Sequence, residues 1–211
     1  MSDDKTPVIK RRYDRIAQVY DLFDSPMELM AFQKHRKTVI DQLYGKVLEV
    51  GVGTGRNIEY YPDKFSSIEE ISAIDFSENM LTKAKEKAEK LHKSVQLYEM
   101  DVQEMDFNDN EFDCVFSTCV FCSVPDPIKG LTEIKRVLKP EGRLILLEHV
   151  RSKKPLIGTL MDIINPVPVT LWGANINRKT VSNLQKVGFQ LELEKNLKLD
   201  ILKLIIAKNT F

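Results

Sequence analysis

From Lys46 onward, short apolar runs alternate with helical segments, and this alternation leaves few folds open to the chain. Val47-Leu48-Glu49-Val50 is too short for a helix and is closed by Gly51, as expected of a buried strand. Comparable runs recur at Glu70 to Asp75, Val95 to Met100, Phe112 to Ser117 and Arg143 to His149. Between them, Glu78 to Leu91 is a charged helix. Ile128, Leu131, Ile134 and Leu138 mark another, which stops before Pro140 and Gly142. Repeated strand–helix alternation implies parallel strands joined by right-handed crossovers, hence a doubly wound α/β sheet with helices on both faces. After a helix from about Arg178 to Lys186, two final strands, Phe189 to Glu194 and Ile201 to Ala207, are only a few residues apart. That gap is too short for a parallel crossover, so they form an antiparallel hairpin at one sheet edge.

The first 45 residues follow a helical period instead. Ile9, Tyr13, Ile16 and Tyr20 make one apolar stripe, with Lys10, Arg11, Arg12 and Arg15 off it. A second helix runs from about Pro26 to Leu43. The expected organisation is one domain over 1–211. It has a helical cap at 1–45, a core at 46–150, an insert at 151–177, and a last helix and hairpin at 178–211.

Charge excludes some partners. Lys plus Arg (31) equals Asp plus Glu (31), so nothing points to nucleic acid. Basic residues do cluster, at Lys10 to Arg15 and at Lys34-His35-Arg36-Lys37. Each cluster reads as a solvated helix face or as a contact with an anionic membrane surface. Three cysteines, Cys114, Cys119 and Cys122, are an odd count that suits a reducing cytoplasm rather than a disulfide framework. Cys119-Val-Phe-Cys122 has the spacing of half a zinc site, but no second pair follows and no metal is expected. The first residues lack the apolar core of a signal peptide, and no stretch approaches the roughly 20 apolar residues of a membrane span. The expected location is the cytoplasm, peripheral at most on the inner face of the membrane.

Chemistry enters at Glu49-Val50-Gly51-Val52-Gly53-Thr54-Gly55-Arg56-Asn57, where the first strand ends. Glycines there let the backbone turn sharply and approach a ligand closely, and such a turn faces the ligand crevice of a doubly wound sheet. The spacing is GxGxG, not the GxGxxG of dinucleotide sites. A carboxylate at Glu49 would repel a pyrophosphate but attract the sulfonium and ammonium of S-adenosylmethionine (SAM). Asp75 ends the second strand about 20 residues on, where a carboxylate can accept both ribose hydroxyls. Asp101, in Met100-Asp101-Val102, can accept from an adenine amino group, and Phe76 and Met80 can cover the adenine faces. The competing role for these acids is helix capping.

Together these residues resemble the class I SAM-dependent methyltransferases. Glu49 to Gly55 matches the first motif, Asp75 the ribose acid and Asp101 the adenine acid. Leu138-Lys139-Pro140-Glu141-Gly142-Arg143 matches the turn into strand five. The resemblance covers about Lys46 to Ala207 and implies a Rossmann-like, mostly parallel seven-stranded sheet with a reversed terminal hairpin. It implies SAM as cofactor, held by Gly51, Gly53, Gly55, Asn57 and Val102 beside the acids.

More narrowly, Tyr13-Asp14-Arg15-Ile16-Ala17-Gln18-Val19-Tyr20-Asp21 resembles a signature shared by two groups. These are the quinone-biosynthesis C-methyltransferases and the bacterial phosphatidylethanolamine N-methyltransferases. Glu148 to Ser152 and Asn175 to Thr180 look closer to the phospholipid branch. By resemblance, Tyr13 and Tyr20 close over the methionyl group and face the substrate, unless both merely form the helix's core stripe. Ser117 and Thr118 line the floor under the methyl group, or simply pack there. Leu156 to Trp172, apolar and rich in proline, lies in an insert over the substrate mouth. It either dips into a bilayer interface or folds as a lid onto its own domain.

The expected function is methyl transfer from SAM to a lipophilic acceptor, foremost the amine of phosphatidylethanolamine and its methylated derivatives. The alternatives are C-methylation of a quinone precursor, methylation of a small lipophilic thiol or amine, or a non-catalytic SAM-binding module. His149, at the end of strand five, is the expected proton acceptor because its pKa lies near working pH, although a lone histidine can also be structural. Tyr20 is the other candidate, for orienting the amine.

Overall fold

The computed structural model describes residues 6–16, 32–64 and 66–210. Tyr20 and the first part of the second helix lie outside the described residues.

Seven strands form one sheet in the order β3-β2-β1-β4-β5-β7-β6. The first five, β1 (Gly45–Val50), β2 (Ile68–Asp75), β3 (Gln96–Glu99), β4 (Phe112–Thr118) and β5 (Leu138–His149), are mutually parallel. β7 (Leu202–Asn209) runs antiparallel between β5 and β6 (Phe189–Lys198), so the hairpin closes one edge as its short connection requires. Strand order reverses at β1, which pairs with β2 on one side and β4 on the other. A reversal of this kind opens a crevice beyond the carboxyl ends of the strands.

Alternate residues of each central strand feed two cores. Val47, Phe116, Ile145 and Leu147 face one layer together with Val39 and Ile40 of α2 (Gln33–Ile40). Leu48, Val115, Leu144 and Leu146 face the other, with Leu131 and Ile134 of α4 (Pro127–Val137). This period of two, with both faces covered, explains why the strands read as continuous apolar runs.

Three local features bear on the site. The segment after the glycine-rich turn is a single 3-10 turn, Ile58–Tyr60. Tyr61 is extended (φ −61°, ψ 139°) because Pro62 bars the residue before it from helical geometry. Leu138 belongs to β5, pairing with Phe112, so α4 stops a residue sooner and the strand begins earlier. The insert is two short helices, α5 (Pro155–Ile164) and α6 (Pro166–Trp172), ending at Gly173 in the left-handed region (φ 80°). Two further helices lie among the described residues. α3 (Glu78–Lys90) follows β2, and α7 (Thr180–Val187) precedes the hairpin.

The N-terminal helix α1 (Thr6–Ile16) crosses the crevice. Arg12 Nη1 donates to the carbonyl of Val169 in α6 at 2.7 Å, and Lys10 pairs with Glu99. Asp14 accepts from Ser77 Oγ at 2.6 Å, at the start of α3.

Candidate functional site

A cleft lies beyond the carboxyl ends of β1, β2 and β4 under α1. Its wall includes Tyr13, Gly53, Asp75, Phe76, Asp101 and Thr118. Met80, Val102, Asn57 and Gly51 also reach it.

The three motif glycines differ in what they do. All have positive φ, which any side chain disfavours. A Cβ on Gly51 would fall 2.5 Å from Val120 Cγ2, and one on Gly55 would meet Ile58 at 2.7 Å and the Ala84 backbone at 3.1 Å. These two permit close packing, and Gly55 is not on the cleft wall. A Cβ on Gly53 would meet nothing within 4 Å. Gly53 opens directly onto the cleft.

Asp75 accepts from Gly53 N at 2.9 Å and Ser77 N at 3.0 Å. Its near-complete burial pushes its pKa up to about 6, against those two hydrogen bonds. Helix capping does not explain Asp75, because the N-cap of α3 is Ser77, which accepts from Met80 N at 3.2 Å. Asp101 accepts from both Gln103 N and Gln103 Nε2 at 2.9 Å, and Gln103 Nε2 also donates to Thr6 Oγ1 of the cap. Asp126, not Asp101, caps α4. Tyr13 bonds Ser123 Oγ at 2.5 Å, and its ring lies edge-on to Phe76 with centroids 5.7 Å apart. Burial raises its phenol above the usual range.

Glu49, Ser117 and His149 are not on the wall. Glu49 is fully buried beneath it. Asn57 Nδ2 donates to one oxygen at 2.7 Å and Tyr61 OH to the other. Burial raises the carboxyl's pKa while these two bonds and the Arg36 charge lower it. Its alternate position on β1 turns it inward, into an internal network with Asn57 and Tyr61. Ser117 Oγ is likewise below the floor, donating to Glu148 Oε1 at 3.2 Å. His149 sits at the carboxyl end of β5, off the cleft wall, where it bonds the backbone of Ile176. Burial lowers its pKa and Nδ1 has no partner among the described residues. It does not line the cleft.

Two residues were missed. Arg36, expected on a solvated face, is buried on the cleft wall and 5% exposed. Its Nη1 donates to Asn57 Oδ1 at 2.8 Å and Thr118 Oγ1 at 2.6 Å, linking α2 to the floor above Glu49. The spacing Phe32–Arg36–Ile40, one residue per helical turn between buried neighbours, was the available signal. Glu148 accepts from Val120 N at 3.0 Å and Phe121 N at 3.3 Å, supporting the loop at residues 119–123. Full burial pushes its pKa up to about 7. Among the described residues no group of three His, Cys, Asp or Glu is placed to hold a metal.

Strand order and cleft together define a Rossmann-like methyltransferase fold. Residues 48–146 match the family model described as Methyltransferase domain. The mitochondrial methyltransferase OMS1 of Saccharomyces cerevisiae is 31% identical over 93% of this chain and 45% of its own length. The chain thus spans less than half of that relative. A phosphatidylethanolamine N-methyltransferase of Cereibacter sphaeroides is 33% identical over 70% of this chain and 71% of that one. A demethylmenaquinone methyltransferase of Staphylococcus aureus is 33% identical over 74% and 67%. Among solved structures, a SAM-dependent methyltransferase from Thermotoga maritima superposes with a TM-score of 0.70 at 20% identity, covering 95% of this chain and 99% of that one. The chain belongs to the SAM-dependent methyltransferase family, and SAM is its cofactor.

Proposed function

We propose that the chain methylates the amine of phosphatidylethanolamine and its partly methylated derivatives. The observation that carries the lipid reading is the outer face of α5 and α6. Leu156 is 88% exposed, Ile163 70%, Leu171 59% and Val167 57%, with Lys153 and Lys154 exposed at the edge. An uncovered apolar face of this kind, rimmed by basic residues, suits reversible contact with an anionic bilayer. The Arg12–Val169 bond sets the basic helix α1 against the same insert. No helix among the described residues is long and apolar enough to cross a membrane.

The cleft fits the cofactor on its own chemistry. Gly53 leaves room for a nucleoside, Asp75 would take the ribose hydroxyls, and Asp101 the adenine amino group. Phe76, Met80 and Val102 would cover the base. Arg36 would hold the methionyl carboxylate, a charge-assisted role that buried guanidinium groups serve well. When bound, SAM supplies an electrophilic methyl group on a sulfonium. The chain's part is to align a neutral amine under α1 and exclude water, since only the neutral amine has the lone pair that reacts. Tyr13, with its raised pKa and its bond to Ser123, orients rather than deprotonates. Tyr20, outside the described residues, remains the candidate for contacting the amine.

A second reading is C-methylation of a quinone precursor, favoured by the Staphylococcus aureus relative at the same 33% identity. Labelled SAM supplied with total lipid extract separates the two. Label in the phosphatidylethanolamine derivatives supports the first reading, and label in the quinone fraction alone overturns it.

A further inference from the structure

We propose that Cys119, on the cleft wall, and Cys122, buried beside it, form a redox dithiol, and that its oxidation by a peroxide to a disulfide loosens the cap and weakens cofactor binding. The effect on binding rests on the cleft being the SAM site; the dithiol itself does not.

Cys119 lines the cleft in the left-handed region (φ 60°), an uncommon conformation for a residue other than glycine. Ser123 N bonds Val120 O at 2.9 Å, folding the loop back on itself, and Cys122 Sγ lies 3.5 Å from Cys119 O. The Cys122 sulfur thus lies against the Cys119 backbone, and a disulfide spans roughly 4–7 Å between Cα atoms. The loop also holds both covers of the cleft. Cys122 Sγ is 3.6 Å from Ser123 Oγ, which bonds Tyr13 OH of α1 at 2.5 Å. The Cys122 carbonyl accepts from Asn175 N at 2.8 Å and Asn175 Nδ2 at 3.1 Å, tying it to the segment after α6. Turning either sulfur toward the other therefore disturbs the Tyr13 latch. The Cys122 thiol is lowered in pKa by its hydrogen bond with Cys119, assisted by the Arg178 charge and opposed by burial. Cys114, buried in β4, takes no part.

The chemistry balances. The Cys122 thiolate attacks one peroxide oxygen, the O–O bond breaks, and hydroxide leaves and is protonated to water. The Cys119 sulfur then attacks the sulfenic sulfur, the S–O bond breaks, and a second water leaves. Two thiols lose two protons and two electrons, and the peroxide is reduced to two waters. Transient disulfides of this kind occur where the compartment is otherwise reducing.

The test treats the full chain with hydrogen peroxide, then applies peptide mass spectrometry and calorimetry with S-adenosylhomocysteine. The expected result is a linked Cys119–Cys122 peptide two hydrogens lighter and an affinity about tenfold weaker. Dithiothreitol should reverse both changes. In Cys122→Ser the affinity should no longer respond to peroxide. Separate sulfinic acids with no linked peptide, or a linked peptide with unchanged affinity, would overturn the proposal. A reduced chain that fails to bind S-adenosylhomocysteine overturns the cleft assignment instead, while the linked peptide still scores the dithiol.

Discussion

Replacing Arg36 by Gln tests whether the guanidinium buried under α1 recognises the amino-acid end of the cofactor. Arg36 Nη1 donates to Asn57 Oδ1 and Thr118 Oγ1, and these bonds hold the guanidinium charge on the cleft wall where a carboxylate would meet it. A hydrogen bond to a charged group is worth about 1.5–3 kcal/mol, so S-adenosylhomocysteine should bind about 10- to 150-fold more weakly. 5′-Methylthioadenosine carries the same nucleoside but no carboxylate, and its affinity should change less than about threefold. The substitution also removes the positive charge nearest Glu49, so its carboxyl pKa should rise further. Asn57 links Arg36 to the buried Glu49, so the same substitution should also lower stability. Isothermal calorimetry with both ligands, and thermal unfolding without ligand, provide the readings. Equal losses for the two ligands, or none for S-adenosylhomocysteine, would refute the assignment.

Gly53→Ala should lower stability by only about 1–2 kcal/mol from left-handed strain, yet reduce S-adenosylhomocysteine affinity at least tenfold, because its Cβ enters open cleft. Gly51→Ala should instead unfold more readily, since its Cβ meets Val120 at 2.5 Å. Because the folded Asp75 pKa of about 6 is raised above its unfolded value, its contribution is fully present below about pH 4 and lost as pH rises through 6. Between pH 4 and 7 the wild type should therefore lose up to about 3 kcal/mol relative to Asp75→Asn in urea unfolding, and a flat difference would contradict this. Leu156→Asp with Ile163→Asp should abolish flotation with anionic vesicles at low salt while leaving S-adenosylhomocysteine binding intact. Undiminished flotation would remove the insert from the membrane account.

The fold was legible because strand identity needs only local period and length. The apolar runs at Val47, Phe112 and Arg143 read correctly because both sheet faces are covered, and the hairpin followed from the short gap before Ile201. The places of Asp75 and Asp101 were legible for the same reason, since a strand's carboxyl end is defined along the chain. Side-chain direction just beyond those ends was not. Glu49 sits next to the glycines in sequence, but a strand sends alternate residues to opposite sides, and its side chain is claimed by Asn57 and Tyr61. Arg36 was hidden in a run of four basic residues, where the charge pattern outweighed its spacing from Phe32 and Ile40. His149 and Glu148 are adjacent, and only the course of the loop at 119–123 decides which one supports the cleft.

The most direct test is a crystal structure of the chain with S-adenosylhomocysteine. The account predicts both ribose hydroxyls on Asp75, the adenine amino group on Asp101, and the amino-acid carboxylate against Arg36. A nucleoside bound elsewhere, or Asp75 turned from the ribose, would contradict it.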